Sequence, residues 1–143
     1  MVGGAPSMLP GSEHLLIVDD EKDTADVIKT ALERAGFSVD VFYDPVAALQ
    51  EFRPGKYDLV VIDIKMPVMD GFMLFEHLRV LDPELKVCFM TASGDDDEVF
   101  KSLLQGKPRI CVARKPIHVR DLALLLRAEL DVKRGRKTPF RLE

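Results

Sequence analysis

An α/β fold built on a doubly wound parallel sheet is predicted by three features of the chain. Short apolar runs alternate with helix-spaced apolar residues, the runs are mostly continuous in apolarity, and unusual polar residues gather where the runs end. The first feature is the pattern of repeated βαβ units. The second marks strands covered on both faces, as parallel strands are. The third bears on function, because open α/β sheets bind ligands beyond the carboxyl ends of their strands.

Strands are predicted at Leu15 to Asp19, Ser38 to Tyr43, Leu59 to Asp63, Val87 to Thr91 and Ile110 to Arg114. Ile28, Ala31, Leu32 and Ala35 recur at helical spacing, and Gly36 follows where a left-handed cap would end that helix. A second helix begins at Asp44-Pro45, a capping side chain followed by proline at the first helical position. The third follows Asp70-Gly71, read as a tight turn in which glycine permits a positive φ, and carries Phe72, Phe75 and Leu78 on one stripe. The fourth opens with Asp95, Asp96, Asp97 and Glu98, carboxylates suited to the positive end of a helix dipole. The fifth places Val119, Leu122, Leu126 and Leu130 on its buried side. Five strands and five helices of these lengths fit a flavodoxin-like sheet of order 2-1-3-4-5 with helices on both faces.

A chain of 143 residues is the size of one domain, and 47% hydrophobic with 31% charged residues is the balance of a soluble globular protein. A net charge of -4 argues against a surface that coats nucleic acid, and no such contact is expected of this chain alone. The expected organisation is a loose N-terminal tail over 1–13, one domain over 14–131, and a basic tail or linker over 132–143 that contains Lys133-Arg134-Gly135-Arg136-Lys137. The N-terminal stretch lacks the basic and apolar regions of a signal peptide, and every apolar run falls far short of the ~20 residues of a membrane span. A cytoplasmic location without membrane contact is the expectation. Cys88 and Cys111 fall within predicted buried strands and lack the spacing of a zinc or redox motif, so they read as small core hydrophobes. His14, His77 and His118 show no metal-ligand spacing, while Met66 and Met69 read as packing residues.

Asp19 and Asp20 close the first predicted strand, Asp63 the third and Thr91 the fourth, and Lys115 follows the fifth. Taken singly, such residues are usually helix caps or solvated charges. Converging on one edge, three carboxylates repel one another, a cost that a fold tolerates when a cation sits among them. Mg²⁺ suits a shallow acidic pocket that receives a phosphoryl group, since it prefers one or two carboxylates, phosphate oxygens and water.

These residues resemble the receiver domains of two-component response regulators, the CheY-like family. The resemblance runs from Asp19-Asp20 through Asp63-Ile64-Lys65-Met66-Pro67-Val68-Met69-Asp70-Gly71 to Thr91-Ala92 and Lys115-Pro116, and spans nearly all of residues 14 to 131. It implies that Asp63 is a phosphoacceptor whose carboxylate attacks the phosphorus of a phosphohistidine. It further implies Mg²⁺ held by Asp63, Asp20, Asp19 through metal-bound water, and the backbone carbonyl of Lys65. Thr91 and Lys115 would each contact a phosphoryl oxygen, and Lys115-Pro116 would be a cis bond. Such a protein is a phosphoacceptor switch that assists its own phosphorylation and dephosphorylation rather than an enzyme. Its implied partners are a sensor histidine kinase or phosphotransfer protein, and a downstream protein or an output domain outside this chain.

Two positions depart from the family's commonest pattern. Val112 stands where receivers usually carry Tyr or Phe, and Lys107-Pro108-Arg109 makes the approach to the fifth strand basic. Output is therefore expected through the face of the fourth helix, fifth strand and fifth helix, without an aromatic switch. Three other readings compete with this one. A haloacid-dehalogenase-like phosphatase needs a second Asp two residues past its nucleophile, where this chain has Lys65. A flavin binder needs a phosphate-cradling loop after the first strand, where this chain has Asp19-Asp20-Glu21. A phosphorylation-independent binding module on the receiver fold is the remaining alternative, and Val112 is the residue that favours it.

Overall fold

The structure is a computed structural model that describes residues 13–92, 111–116 and 118–133. The predicted fourth helix with its acidic start, the basic stretch Lys107 to Arg109, and most of both predicted tails lie outside the described residues. The elements run β1 (His14–Val18), α1 (Lys22–Arg34), β2 (Ser38–Phe42), α2 (Pro45–Glu51), β3 (Leu59–Asp63), α3 (Gly71–Leu81), β4 (Lys86–Ala92), β5 (Cys111–Lys115) and α4 (Val119–Lys133). The sheet is parallel throughout, in the order β2-β1-β3-β4-β5, which is the topology expected from the sequence.

Alternation along the strands builds two cores from one sheet. Leu15 and Ile17 of β1, Leu59 and Val61 of β3, and Cys88 and Met90 of β4 face α1 and α4, meeting Ile28, Leu32, Leu122, Leu125 and Leu126. Leu16, Val18, Val60, Ile62, Val87 and Phe89 face the other way, against Ala48 and Phe52 near α2 and Leu74, Phe75 and Leu78 of α3. Both faces of the central strands are thus dry, which explains their unbroken apolar runs. Gly36, at φ +104°, follows α1 in the left-handed conformation its position predicts. The Asp44 side chain accepts from Val46 N ahead of Pro45, and Asp70 accepts from Met73 N at the start of α3.

Element ends differ from the sequence reading by about one residue. β1 stops at Val18, the last partner of Phe42, so Asp19 is the first residue past the ladder. Its amide still donates to the Phe42 carbonyl at 3.2 Å, holding it on the strand's course. Lys115 is the final residue of β5, in register with Ala92, rather than the residue after it. On α4, Leu125 joins the predicted buried stripe, while Val119 is only half-buried.

The loop from β3 to α3 corrects one expectation. Gly71 is not among the residues with positive φ; that conformation falls on Val68, at φ 73°. A β-branched residue held there costs roughly 1–3 kcal/mol, and the Val68 side chain is left almost fully in solvent. Gly71 is required for space instead. A Cβ at this position would stand 2.5 Å from the Asp63 carbonyl oxygen and 2.8 Å from Ile62 Cγ2, while the Gly71 amide donates to Ile64 O at 2.8 Å. The first turn of α3 is therefore seated directly on the end of β3. Gly71→Ala should destabilise the fold by about 1–3 kcal/mol, the usual cost of forcing a methyl into a filled space. Urea denaturation measures it, and an unchanged midpoint would mean that the loop yields around the methyl.

Candidate functional site

The carboxyl edge of the sheet brings together Asp19, Asp20, Asp63 and Lys115. Asp19 and Asp63 stand at the ends of neighbouring strands, each one residue beyond the Val18 and Ile62 pair. One carboxylate oxygen from each of Asp19, Asp20 and Asp63 lies within 4.8 Å of the others, with Asp20 exposed and the other two buried. Lys115 reaches this group from β5, across β4. Its Nζ is 3.4 Å from Asp63 Oδ2, 3.7 Å from Asp19 Oδ2 and 3.5 Å from Glu21 Oε1. The peptide bond from Lys115 to Pro116 is cis, as expected from the resemblance.

The electrostatics follow from burial and crowding. Removal from water pushes the Asp63 carboxyl up to about 7; the Lys115 ammonium works against that rise and the Asp19 charge adds to it. Burial also raises Asp19, against the pull of the Glu21 amide and Lys115. Burial alone would lower Lys115, but the charges of Asp63, Asp19 and Glu21 outweigh it and hold the ammonium above its ordinary range. Asp19 Oδ1 accepts from the Glu21 amide at 2.9 Å, whereas its buried Oδ2 has no hydrogen-bond partner. The carboxylates of Asp19, Asp20 and Asp63, with the unsatisfied buried oxygen of Asp19 among them, could hold a hard divalent cation.

Thr91 is buried at the end of β4, one residue past Met90, which is in register with Asp63. Lys65 is exposed in the loop two residues past Asp63. Val112 is half-buried on the α2 and α3 face, in register with Phe89. Aromatic volume there belongs to β4 and α3 rather than β5: Phe89 is packed by Phe72 and Phe75, with ring centroids 4.9 Å and 5.7 Å away. His77 and His118 are exposed and His14 is at the opposite end of β1, and none of them joins the group of Asp19, Asp20 and Asp63. Glu21 is the participant that sequence reasoning missed. In the sequence it only completes the Asp19-Asp20-Glu21 run that stands in place of a phosphate-cradling loop, although a third consecutive acid after β1 is the signal that it shares the same edge.

A family model for the response regulator receiver domain matches residues 15–127. Regulatory protein VanRc of Enterococcus gallinarum is 38% identical over 95 residues, covering 66% of this chain and 41% of that protein. Transcriptional regulatory protein PrrA of Mycobacterium tuberculosis is 31% identical over 119 residues, covering 83% of this chain and 50% of the relative. The chain thus spans about half the length of the curated relatives it matches. Among solved structures, a response regulator receiver domain protein of Clostridium thermocellum superposes with a TM-score of 0.75 at 25% identity, over 86% of this chain and 98% of that one. A CheY-like receiver domain protein of Methanospirillum hungatei gives 0.72 at 28% identity, over 87% and 98%. With its topology, its acidic edge and a family match that covers most of its length, the chain belongs to the response regulator receiver domain family of two-component systems.

Proposed function

We propose that this receiver is a phosphorylation-activated switch in a two-component phosphorelay, taking a phosphoryl group on Asp63 from a histidine kinase or phosphotransfer protein. The observation that carries this reading is the gathering of Asp19, Asp20 and Asp63 within 4.8 Å, with Lys115 Nζ at 3.4 Å from Asp63. A carboxylate oxygen of Asp63 attacks phosphorus as the bond to the donor imidazole nitrogen breaks, leaving an acyl phosphate on Asp63 and the imidazole to recover a proton. Catalysis of such a transfer is mostly positioning and neutralisation of charge on the equatorial oxygens. Lys115 supplies one positive charge, and the Thr91 hydroxyl supplies a hydrogen bond to a phosphoryl oxygen. Asp19, Asp20, Asp63 and the Lys65 carbonyl would hold Mg²⁺, which supplies the remaining neutralisation when bound. Differential contact of Thr91 and Lys115 with the phosphoryl group is what can shift the balance between two surface conformations. With Val112 in place of a large ring, that shift proceeds without an aromatic rotamer change, and it is read by a downstream protein or by an output domain outside this chain.

Mass spectrometry after incubation with Mg²⁺ and acetyl phosphate tests the acceptor. The chain should gain one phosphoryl group and Asp63→Asn none; an undiminished adduct on the variant would move the acceptor elsewhere.

A pH dependence follows from the same carboxylate. Asp63 titrates near 7 when folded but near 3.8 when free of the fold, so between these values the native state holds a proton that the unfolded chain has released. Without metal, the stabilisation from this proton is complete below the lower value and is lost as pH rises through the upper one. The metal-free chain should therefore melt at progressively lower temperature across this window. Asp63→Asn should flatten the slope, and saturating Mg²⁺ should raise the melting temperature most at the alkaline end. A wild-type melting temperature that climbs across the window without metal would contradict the burial of Asp63.

Lys65 tunes the lifetime in this reading. A long cationic side chain two residues past the acceptor stands where hydrolytic water must approach and offers the phosphoryl group a second positive charge. Lys65→Ala should shorten the acyl-phosphate half-life several-fold, and an equal or longer half-life would remove Lys65 from the site.

A further inference from the structure

The two cysteines of the chain are neighbours in space. Cys88 of β4 and Cys111 of β5 are in register across the ladder, both fully buried on the face that packs against α1 and α4. Their Sγ atoms are 2.8 Å apart, against ~2.05 Å in a disulfide. Paired residues of adjacent parallel strands point to the same face, and the ~4.8 Å strand spacing falls within the ~4.4–6.8 Å range of Cα separations that a disulfide bridges. Packing alone accounts for two small apolar residues under Leu122 and Leu125, but it does not call for two thiols placed opposite each other. We propose that Cys88 and Cys111 are a modification site, a buried dithiol that closes reversibly to an intramolecular disulfide when a hydroperoxide is the oxidant.

The step balances with that oxidant. One thiol gives up its proton, its thiolate attacks the peroxide oxygen as the O–O bond breaks, and the sulfur becomes a sulfenic acid while the leaving oxygen takes up that proton and departs as water, or as an alcohol from an organic hydroperoxide. The second sulfur attacks the first, the S–O bond breaks, and the S–S bond forms with release of another water. Two thiols have then lost two electrons, and a thiol reductant restores them by exchange. Access comes through β5, which has a single ladder neighbour among the described residues, so opening of this edge strand alone exposes Cys111. The bond would tie β4 to β5 three residues before Thr91 and four before Lys115, near the carboxyl ends of those strands. The cross-link itself requires no phosphoryl chemistry, so it stands apart from the proposed function.

Treatment of the full chain with hydrogen peroxide under native conditions, followed by denaturation, alkylation and intact-mass measurement, tests it. The untreated chain should take two alkyl groups, one for each of its two cysteines. The oxidised chain should take none, have lost two hydrogens apart from any oxygen gained by methionine, and yield a peptide pair joined through Cys88 and Cys111. Dithiothreitol should restore both sites. Cys111→Ala and Cys88→Ala should each lose the intramolecular product while keeping one alkylatable or over-oxidised thiol. Two free thiols remaining after methionine has been oxidised would overturn the proposal, as would sulfinic acid or intermolecular dimer as the sole cysteine product.

Discussion

Repulsion among carboxylates organises the carboxyl end of this molecule. Asp19 and Asp63 are buried side by side at the ends of adjacent strands, Asp20 shares their edge, and the Lys115 ammonium lies among them at 3.4 Å from Asp63 and 3.7 Å from Asp19. Desolvation makes each buried negative charge costly, and proximity makes each more costly still. Such a group persists only because rigid surroundings hold it there. β1 and β3 are dry on both faces, the Phe42 carbonyl holds the Asp19 amide, and the first turn of α3 rests on the Asp63 carbonyl. A divalent cation, as in the function proposed above, would relieve that repulsion.

Much of this is legible in the sequence. Strands buried on both faces write themselves as unbroken apolar runs, so β1 and β3 could be placed to within a residue, and the βαβ alternation carried the topology. The site was legible for the same reason: once β1, β3, β4 and β5 are ordered, the polar residues at their ends must converge. What the sequence could not display was contact. Gly71 announces a constraint but not its kind, and the constraint proved to be the Asp63 carbonyl rather than a turn conformation. Val68 carries the positive φ, at a position where a β-branched residue gives no sign of it. Glu21 touches Lys115 only because the chain turns back after β1, and three acids in succession look the same whether or not the third one reaches the lysine.

The two cores also divide the labour. The face toward α1 and α4 is mostly aliphatic, with two thiols and the ring of Phe37, while the face toward α2 and α3 carries Phe52, Tyr57, Phe75 and Phe89. Aromatic rings thus fill the layer behind the β3–α3 loop, and the Phe89 cluster occupies the space beside Val112. The departure at Val112 is in this sense local: bulk absent from β5 is present one strand inward, where it is fixed by two neighbouring rings.

Lys115 and Asp63 stand on strands that are not neighbours. Their ion pair bridges over β4, so it works as a guy line on the outermost strand as well as a counter-charge. β5 is hydrogen-bonded on one side only among the described residues, and its carboxyl end has this second tether to the middle of the sheet. Whatever chemical form Asp63 takes must go on offering the ammonium an acceptor, or the rim of the sheet slackens where the lysine begins. Charge at Asp63 and tension at the rim are in this architecture the same variable.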